Sequence, residues 1–433
     1  MSLPSDVQDE HDVHHHCSHV CSIIPPYLLA NIAGHPDAPE ESRTFARNTL
    51  LHTETLLQVR HDFITQQRSA TGGAGQSIVP GYVLDSITGS EDVEDDARDA
   101  AQRTLATSEG IRETRERHAA GLRDAGDQSA SGVEGIAATP ARLKRVVYTS
   151  ENTEILDQRE LRSENDPPVD DQSANECYDG FGATFEFYNQ VFHRNSINDK
   201  GLSLLGSVHY GKKYINAFWN GSQMVFGDGD GGIYWNNFTS AVDVIAHELT
   251  HGVTSYTANL TYRGESGALN ESISDVFGSM VKQYQLKQTS AEADWLIGAG
   301  LFTSRVNGVA LRSMKAPGTA YDDPALGKDR QPNHYSKYVV LSDADDSGGV
   351  HIYSGIPNRA FYLAATALGG SSWERAGPIW YTTLRDKRLK HTANFKDFAQ
   401  LTCDNAEKLY DASVRATVQK AWADVGVKVA KTA

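Results

Sequence analysis

A stretch in the middle of the chain carries apolar residues at helical spacing, at Val242, Ile245, Leu249 and Val253. These positions fall on one face of a helix, so the pattern predicts a helix that packs against a core. Ser240 and Asp243 fit the Ser-x-x-Asp pattern of a helix start. We therefore predict a packed helix that begins near residue 240.

The first third of the chain differs in composition from the rest and contains an internal repeat. The segment SIIPPY, which begins at Ser22, reappears as SIVPGY, which begins at Ser77, and the similarity continues at the same offset. Each copy predicts a Pro-x-Tyr segment, a short helical turn and a charged helix. The two copies span residues 22–60 and 77–115. Because the composition changes near Lys144, we predict that residues 1–145 form a segment separate from the rest.

The predicted helix in the middle of the chain contains the pattern HExxH. His247 and His251 are four residues apart and share one helix face, so both imidazoles can bind one metal ion. Glu248 lies beside them as a candidate general base. Glu271 offers a third ligand from a second helix, where Asp275 shares its face and can hydrogen-bond a ligand imidazole. Three protein ligands and one open position are typical of catalytic zinc, so the pattern predicts a zinc hydrolase.

Three other interpretations compete with a zinc hydrolase. HExxH also arises by chance, and the histidines would then lie on the surface of an ordinary helix. An inactive metal-binding or interaction protein is the second alternative, but a scaffold would have no use for the base Glu248. A zinc aminopeptidase shares HExxH and a distant glutamate, yet the sequence lacks the Gly-x-Met-x-Asn stretch of that class.

From about Val146 onward, the sequence resembles the thermolysin-like neutral metalloproteinases and looks most similar to their protealysin-like branch. The resemblance is carried by NAFWNGSQMVFGDGDG, NESISDVFGSMVK and GGVHIYSG, which begin at Asn216, Asn270 and Gly348. It implies an α+β fold of two lobes, preceded by a helical propeptide. We expect a β-rich N-terminal lobe over residues 146–240, and the zinc helix with a helical C-terminal lobe over residues 241–433.

The resemblance also implies catalytic roles beyond the HExxH pattern. Peptide hydrolysis needs hydrogen-bond donors for the oxyanion. By resemblance these donors are His351 and Tyr262, and Asp346 orients His351 and favours its protonated form. One zinc ion per chain is the cofactor that these residues would serve.

Further residues match the substrate-binding groups of the family. Asn216 and Ala217 match the edge strand that clamps the substrate backbone, and Arg312 matches a ligand for a substrate carbonyl. Val244 and Leu311 would line an apolar pocket for the residue after the scissile bond. The resemblance therefore implies an endopeptidase that cleaves before bulky hydrophobic residues.

Calcium is not expected, although better-known members of the family bind it near the zinc helix. Asp243 and Asp294 are present, but Lys282, Leu296 and Ala299 stand where acidic residues are expected. A lysine ammonium would repel a calcium ion. We expect Lys282 to lie close to both aspartates instead.

Charge and composition limit the classes of molecule that the protein is expected to bind. The net charge of −16 gives no reason to expect nucleic acid, and no apolar run is long enough to span a bilayer. We expect protein and peptide substrates, a monomer, and residues 1–145 as a propeptide that inhibits its own enzyme. The acidic N-terminus predicts secretion by a route that uses no N-terminal signal peptide, with a cytoplasmic location as the alternative.

The four cysteines are too few for a disulfide-dense scaffold. We expect Cys177 and Cys403 to be buried free thiols. The stretch HHHCSHVC, from His14 to Cys21, either binds metal or is a solvated terminus. The sequence does not decide whether a Cys21 thiolate reaches the zinc ion, nor which copy of the repeat meets the enzyme.

Overall fold

The computed structural model describes residues 21–67, 141–230, 235–342 and 345–429, and only the backbone of residues 21–22 and 54–67. The chain divides into two units, residues 1–51 with 141–433, and residues 52–140. Within the second unit, the structure describes only the end of one helix. The second copy of the repeat lies outside the described residues. So do residues 14–20 of the HHHCSHVC stretch and the side chain of Cys21.

Six strands of the first unit form a mixed sheet: β1 (Cys21–Ser22), β2 (Arg145–Thr149), β3 (Arg159–Ser163), β4 (Leu204–Val208), β5 (Ala217–Trp219) and β6 (Met224–Phe226). Their spatial order is β1-β5-β6-β4-β2-β3. β4 runs parallel to β2 and β6, and the other neighbours are antiparallel. β1 comes from the first copy of the repeat, so the N-terminal segment adds the edge strand beside β5.

The first copy continues into two helices, α1 (Pro26–Gly34) and α2 (Glu40–Gln67), as its sequence pattern predicts. The following helices are α3 (Gln172–Phe192), α4 (Val242–Ser255), α5 (Gly264–Leu286), α6 (Asp346–Tyr353), α7 (Gly355–Leu368), α8 (Ala376–Leu384), α9 (Phe395–Leu409) and α10 (Ala412–Asp424). Two short sheets pair β7 (Leu296–Ile297) with β8 (Arg312–Ser313) and β9 (Asp322–Asp323) with β10 (Gly327–Lys328). The predicted α+β fold, with a strand-containing N-terminal lobe and a helical C-terminal lobe, is confirmed.

The predicted start of the HExxH helix is wrong in detail. Ser240 does not cap α4, because it ends a separate 3-10 turn and its hydroxyl donates to the Asn237 carbonyl over 2.7 Å. Ala241 is the N-cap residue and has no capping side chain. Asn237 caps the 3-10 turn instead, and its side chain accepts a hydrogen bond from Thr239 N.

Close packing of α4 against α5 brings the two halves of the predicted zinc site together. Gly278 makes this approach possible, because a Cβ at this position would lie 2.5 Å from the Asp243 carbonyl oxygen. Residues 243–254 of α4 are all buried, as the apolar spacing of its sequence predicts. Because most of their residues are buried, core packing fixes the positions of α4 and α5.

The sequence predicts that Cys177 and Cys403 are buried free thiols. Cys177 and Cys403 are buried and unpaired, so the prediction of free thiols is confirmed. Burial raises the pKa of the Cys177 thiol well above its usual value. In the part of the chain that the structure describes, no helix has the length and apolar character needed to cross a membrane.

A histidine outside the HExxH region connects three elements of the N-terminal lobe. His209 follows β4, and its Nδ1 lies 2.9 Å from both carboxylate oxygens of Asp228, in the turn after β6. Its Nε2 lies 3.0 Å from Oδ2 of Asp171, which is the N-cap residue of α3. Asp228 and, secondarily, Asp171 raise the pKa of His209 to about 9, against the opposing effect of burial.

This cluster predicts a pH dependence of stability. Because the folded-state pKa lies above the unfolded value of about 6.5, the stabilisation is complete below about pH 6.5 and is lost as pH rises through about 9. We expect the free energy of unfolding to fall by on the order of 2 kcal/mol over this interval. Denaturant titrations at each pH would measure it. His209→Gln should abolish the decrease and His391→Gln, at an exposed histidine, should keep it; an unchanged decrease in His209→Gln would contradict the assignment.

Candidate active site

Three side chains predicted as metal ligands converge between α4 and α5. His247, His251 and Glu271 are completely or almost completely buried, and their candidate ligand atoms lie within 4.8 Å of one another. The two imidazole Nε2 atoms are 3.1 Å apart, and Glu271 carboxylate oxygens lie 3.4–3.5 Å from them. Glu271 Oε2 is buried and has no hydrogen-bond partner among the described residues. Two imidazole nitrogens and a carboxylate facing one point are a donor set that fits zinc.

Hydrogen bonds at the far side of each imidazole fix the direction of the two rings. His247 Nδ1 lies 2.8 Å from Asp275 Oδ1, and His251 Nδ1 lies 2.8 Å from Asn270 Oδ1. Each Nδ1 can donate to its oxygen, which leaves the Nε2 lone pairs directed at Glu271. Asp275 was predicted in this position from the sequence. Asn270 was not, although it directly precedes Glu271 on a helix that faces α4.

Asp275 is the centre of a buried polar network. It accepts two hydrogen bonds of 2.8 Å from the Arg312 guanidinium and one of 2.8 Å from Asn358 Nδ2. Although burial raises the pKa of Asp275, the charge of Arg312 and the hydrogen bond with His247 lower it to about 2. Arg312 was predicted only as a contact for substrate, and Asn358 was missed. Their distance from Asp275 in sequence leaves no local pattern that would pair them.

Burial also affects the pKa of the candidate ligand His247. It lowers the pKa of His247 to about 4, although Asp275 and Glu271 act in the opposite direction. For Glu271, burial is outweighed by nearby histidines, above all His351 and His251, which hold the pKa well below its usual range. A neutral imidazole and an ionised carboxylate are the forms that bind metal ions.

Glu248 connects the HExxH helix with the sheet. Its side chain is fully buried, and its Oε2 accepts a hydrogen bond of 3.1 Å from the backbone N–H of Trp219 in β5. Glu248 directly follows His247 on α4. The candidate base is therefore held between the metal-ligand cluster and the edge of the strand that pairs with β1.

The two candidate oxyanion donors, Tyr262 and His351, both contact the Glu271 carboxylate. Tyr262 donates a short hydrogen bond to Glu271, and its hydroxyl lies 3.2 Å from His351 Nε2. His351 Nδ1 lies 2.6 Å from Asp346 Oδ1. Burial opposes protonation of His351, but Glu271 and Asp346 together raise its pKa. The geometry brings all three predicted residues, Tyr262, His351 and Asp346, to one face of the cluster.

The backbone conformation before His351 explains why two glycines stand there. Helix α6 is interrupted at Ser347, Gly348 and Gly349, whose φ angles are 53°, 81° and 84°. This left-handed stretch turns the chain so that Asp346 Oδ2 accepts a hydrogen bond of 2.9 Å from His351 N. Glycine adopts this conformation without steric cost.

The groups predicted to hold a substrate backbone contact the first copy of the repeat. Ile23 N donates to the Ala217 carbonyl over 3.2 Å, and Arg312 Nη1 donates to the Ile23 carbonyl over 3.0 Å. Asn216 Oδ1 accepts from Ile24 N over 2.9 Å, and Asn216 Nδ2 donates to Ile24 O over 3.3 Å. The sequence left open which copy meets the enzyme, and these contacts show that the first copy does.

The two residues predicted to line the apolar pocket, Val244 and Leu311, are buried in the same core as Ile23 and Ile24. Both isoleucines are fully buried. The apolar side chains at the start of the first copy are therefore shielded from solvent.

Lys282 lies where the sequence predicts a replacement for calcium. Its Nζ is 2.9 Å from Asp294 Oδ2, 3.4 Å from Asp243 Oδ2 and 3.2 Å from the Leu296 carbonyl oxygen. Although burial disfavours its charge, Asp243 and Asp294 raise the pKa of Lys282. The ammonium therefore occupies the space between the two carboxylates.

Family profiles cover most of the chain. Residues 125–255 match the catalytic domain of thermolysin metallopeptidases, and residues 258–427 match their alpha-helical domain. Residues 21–61 match the protealysin propeptide.

Individual proteins agree with these profiles. The chain is 49% identical, over 410 residues, to an extracellular metalloprotease of Pectobacterium carotovorum subsp. carotovorum, with 95% of this chain and 97% of the relative covered. It is 39% identical over 255 residues to a thermolysin of Alicyclobacillus acidocaldarius subsp. acidocaldarius, which covers 57% of this chain and 44% of that protein. Among solved structures, the precursor of protealysin, a metalloproteinase from Serratia proteamaculans, matches with a TM-score of 0.65 and 49% identity. That match covers 82% of this chain and 100% of the other.

Proposed function

We infer the function from the family: the chain belongs to the thermolysin metallopeptidases and carries a propeptide of the protealysin type. It is therefore a metalloendopeptidase that is made as a zymogen. Beyond this, we propose that it uses one zinc ion and cleaves peptide bonds before bulky hydrophobic residues. The observation that carries the proposal is the convergence of His247, His251 and Glu271 on one buried point beside Glu248.

In the proposed mechanism His247, His251 and Glu271 hold the zinc ion. When bound, zinc supplies Lewis-acid activation of water and of the scissile carbonyl. Glu248 takes a proton from the attacking water and delivers it to the departing nitrogen. The hydrogen bond from Trp219 N to Oε2 fixes the direction of the base.

His351 and Tyr262 stabilise the negative charge that develops on the substrate oxygen. The pKa of His351, raised by Glu271 and Asp346 against the effect of burial, favours the imidazolium as a charged donor. Asp346 acts through His351, which it orients by the 2.6 Å contact with Nδ1. Asp275 similarly positions His247 and Arg312 without touching the substrate.

Asn216, Ala217 and Arg312 bind the substrate backbone in this proposal, while Val244 and Leu311 line the pocket after the scissile bond. Support comes from the contacts that the same backbone groups make with Ile23 and Ile24. An extended segment with apolar side chains already fills these sites. The first copy would therefore inhibit by occupying the place of a substrate, at the high effective concentration of an attached segment.

The proposal is tested by metal analysis and by peptide mapping of the processed enzyme. We expect close to one zinc ion per chain, and cleavage of a defined peptide mixture mainly before leucine, isoleucine, valine and phenylalanine. Removal of zinc by a chelator should abolish cleavage, and added zinc should restore it. Cleavage that persists without metal, or that shows no preference for apolar residues, would contradict the proposal.

We further propose that calcium has no site beside Lys282. The melting temperature of the zinc-loaded protein should hardly differ between excess calcium and a calcium-selective chelator. Lys282→Met should destabilise the protein by about 2 kcal/mol, because it leaves two carboxylates without their shared ammonium. Lys328→Met, at an exposed lysine, is the control and should change stability little. A large drop in melting temperature on calcium removal, with zinc still bound, would show that a calcium site exists.

The organisation of the precursor completes the proposal. Residues 1–145 form the propeptide, residues 146–240 the N-terminal lobe and residues 241–433 the zinc helix with the C-terminal lobe. Val146 and Val147 follow Arg145 and suit the proposed preference, so processing would occur just before one of them. Relatives named extracellular support secretion. We propose that the enzyme is a monomer.

A further inference from the structure

The first copy of the repeat enters the cleft as an extended strand with a defined register. β1 pairs antiparallel with β5, so that Cys21 lies opposite Trp219 and Ser22 opposite Phe218. The pairing continues beyond β1, because Ile23 N donates to the Ala217 carbonyl. Residues 21–24 therefore follow one edge of the sheet without interruption.

The contacts of Ile23 and Ile24 are those expected for the two residues after a scissile bond. The proposed substrate clamp would bind the N–H of the first such residue through Ala217 and its carbonyl through Arg312. It would bind the next residue through Asn216. Ile23 and Ile24 satisfy these contacts in that order, at distances of 2.9–3.3 Å. The peptide bond that precedes Ile23 then takes the position of the bond to be cut.

The residues on both sides of this peptide bond are connected to the proposed catalytic groups. Glu248 bonds to Trp219 N, which belongs to the residue opposite Cys21. On the other side, the Arg312 guanidinium that holds Ile23 O also binds Asp275, and Asp275 contacts the His247 ring. Strand β1 also lies against α4, the helix that carries the base and two metal ligands.

We propose that the Ser22–Ile23 bond is a self-cleavage site of the precursor, distinct from the processing site near Val146. The inference rests on the proposed function. Water adds to the Ser22 carbonyl carbon and the C–N bond to Ile23 breaks. The products are a Ser22 carboxylate and an Ile23 amine, with the proton carried to nitrogen by Glu248. The substrate is this chain's own propeptide, held in cis.

The cut does not by itself release the inhibitor. Among the described residues, the fragment 1–22 keeps the two residue pairs of β1, which are too few to hold it, so we expect it to dissociate. The chain from Ile23 onward keeps its contacts with Arg312 and Asn216. It also keeps hydrogen bonds from Asn31 Nδ2 to the Leu326 carbonyl, over 2.6 Å, and from Ile215 N to Thr49 Oγ1, over 3.1 Å. The product end therefore remains in the cleft until the propeptide is removed.

The test follows the zinc-loaded full chain by intact mass and by N-terminal sequencing over time and at several dilutions. We expect a species that begins at Ile23, formed at a rate independent of protein concentration. The Ser77–Ile78 bond has the same residues on both sides and is the internal comparison. We expect it to be cut at least about tenfold more slowly, because the contacts of the described residues hold the first copy in the cleft with its bond in position. Glu248→Ala should give neither product.

Two variants separate the position of the bond from effects on folding. Ile23→Asp should lose the cut at residue 22, while Leu51→Asp, at a side chain that is 65% exposed, should keep it. Independently of activity, the amides of Ile23 and Ile24 in full-length Glu248→Ala should be protected from hydrogen exchange. In one outcome, the precursor is processed near Val146 and hydrolyses peptides while its Ser22–Ile23 bond stays intact. That result would overturn the self-cleavage proposal and leave the proposed function standing. A chain that cuts neither itself nor any peptide would overturn the proposed function as well. Cleavage after Ser22 only in proportion to protein concentration, or unprotected amides, would also overturn the inference.

Discussion

Replacing Glu248 with alanine is expected to lower peptidase activity by about 10²- to 10⁴-fold, the usual contribution of a positioned general base. The fold and the zinc content should be retained, because Glu248 is not a predicted ligand. Its buried carboxylate contacts Trp219 N in β5. Both proteins should first be freed of the N-terminal segment by limited trypsin digestion near Lys144, so that inhibition does not obscure the comparison. Initial rates on one peptide substrate then give the ratio.

His251→Ala is the matched control for this result, because it changes a ligand on the same helix face. It should lose both zinc and activity, whereas Glu248→Ala should lose activity alone. Metal analysis of the two purified variants distinguishes the roles. A Glu248→Ala enzyme with full activity, or one that loses zinc as His251→Ala does, would show that the assignment of the base is wrong.

Ile24→Asp is expected to raise the peptidase activity of the intact precursor by at least about 10²-fold. Ile24 is fully buried in the cleft, and its backbone is held by Asn216. An unpaired carboxylate buried at this position destabilises the bound propeptide by several kcal/mol. Each 1.4 kcal/mol lowers the equilibrium constant for occupation of the cleft about tenfold. The initial rate of peptide hydrolysis, with intact mass recorded on the same sample, is the measurement.

Leu51→Asp provides the control within the same unit, since this leucine of α2 is 65% exposed. It introduces the same charge into the N-terminal segment without entering the cleft, and the precursor should stay inhibited. Equal activation by the two substitutions would mean that added charge, and not loss of the cleft contact, releases the enzyme. No activation by Ile24→Asp would contradict occupation of the cleft as the cause of inhibition.

The metal-ligand cluster was predictable because its spacing follows from helix geometry. His247 and His251 share a face at any packing of α4, and Asp275 follows Glu271 by one helical turn. The resemblance to a known family supplied His351, Tyr262 and Asp346, which local patterns alone would not connect. The structure places all of these residues together around Glu271.

Contacts between distant segments were not predictable from the sequence. Asn358 and Arg312 reach Asp275 only through the tertiary packing of separate elements. The same holds for His209, whose two carboxylate partners come from the start of α3 and from the turn after β6. The sequence pattern at Ser240 predicted the wrong N-cap residue for α4, because a 3-10 turn with its own cap at Asn237 precedes the helix. The edge strand β1 was also not predictable, because it forms only by pairing with β5, which is distant in sequence.

We propose that the N-terminal segment occupies the cleft as an inhibitor and that the enzyme removes this segment itself. The most direct measurement is a time course of mass and peptidase activity, made in parallel on wild-type and Glu248→Ala precursors loaded with zinc. We expect wild type to lose residues 1–145 while activity rises in proportion, and Glu248→Ala to stay at full length and inactive. A wild-type chain that stays at full length yet hydrolyses peptides at its maximal rate would contradict the claim.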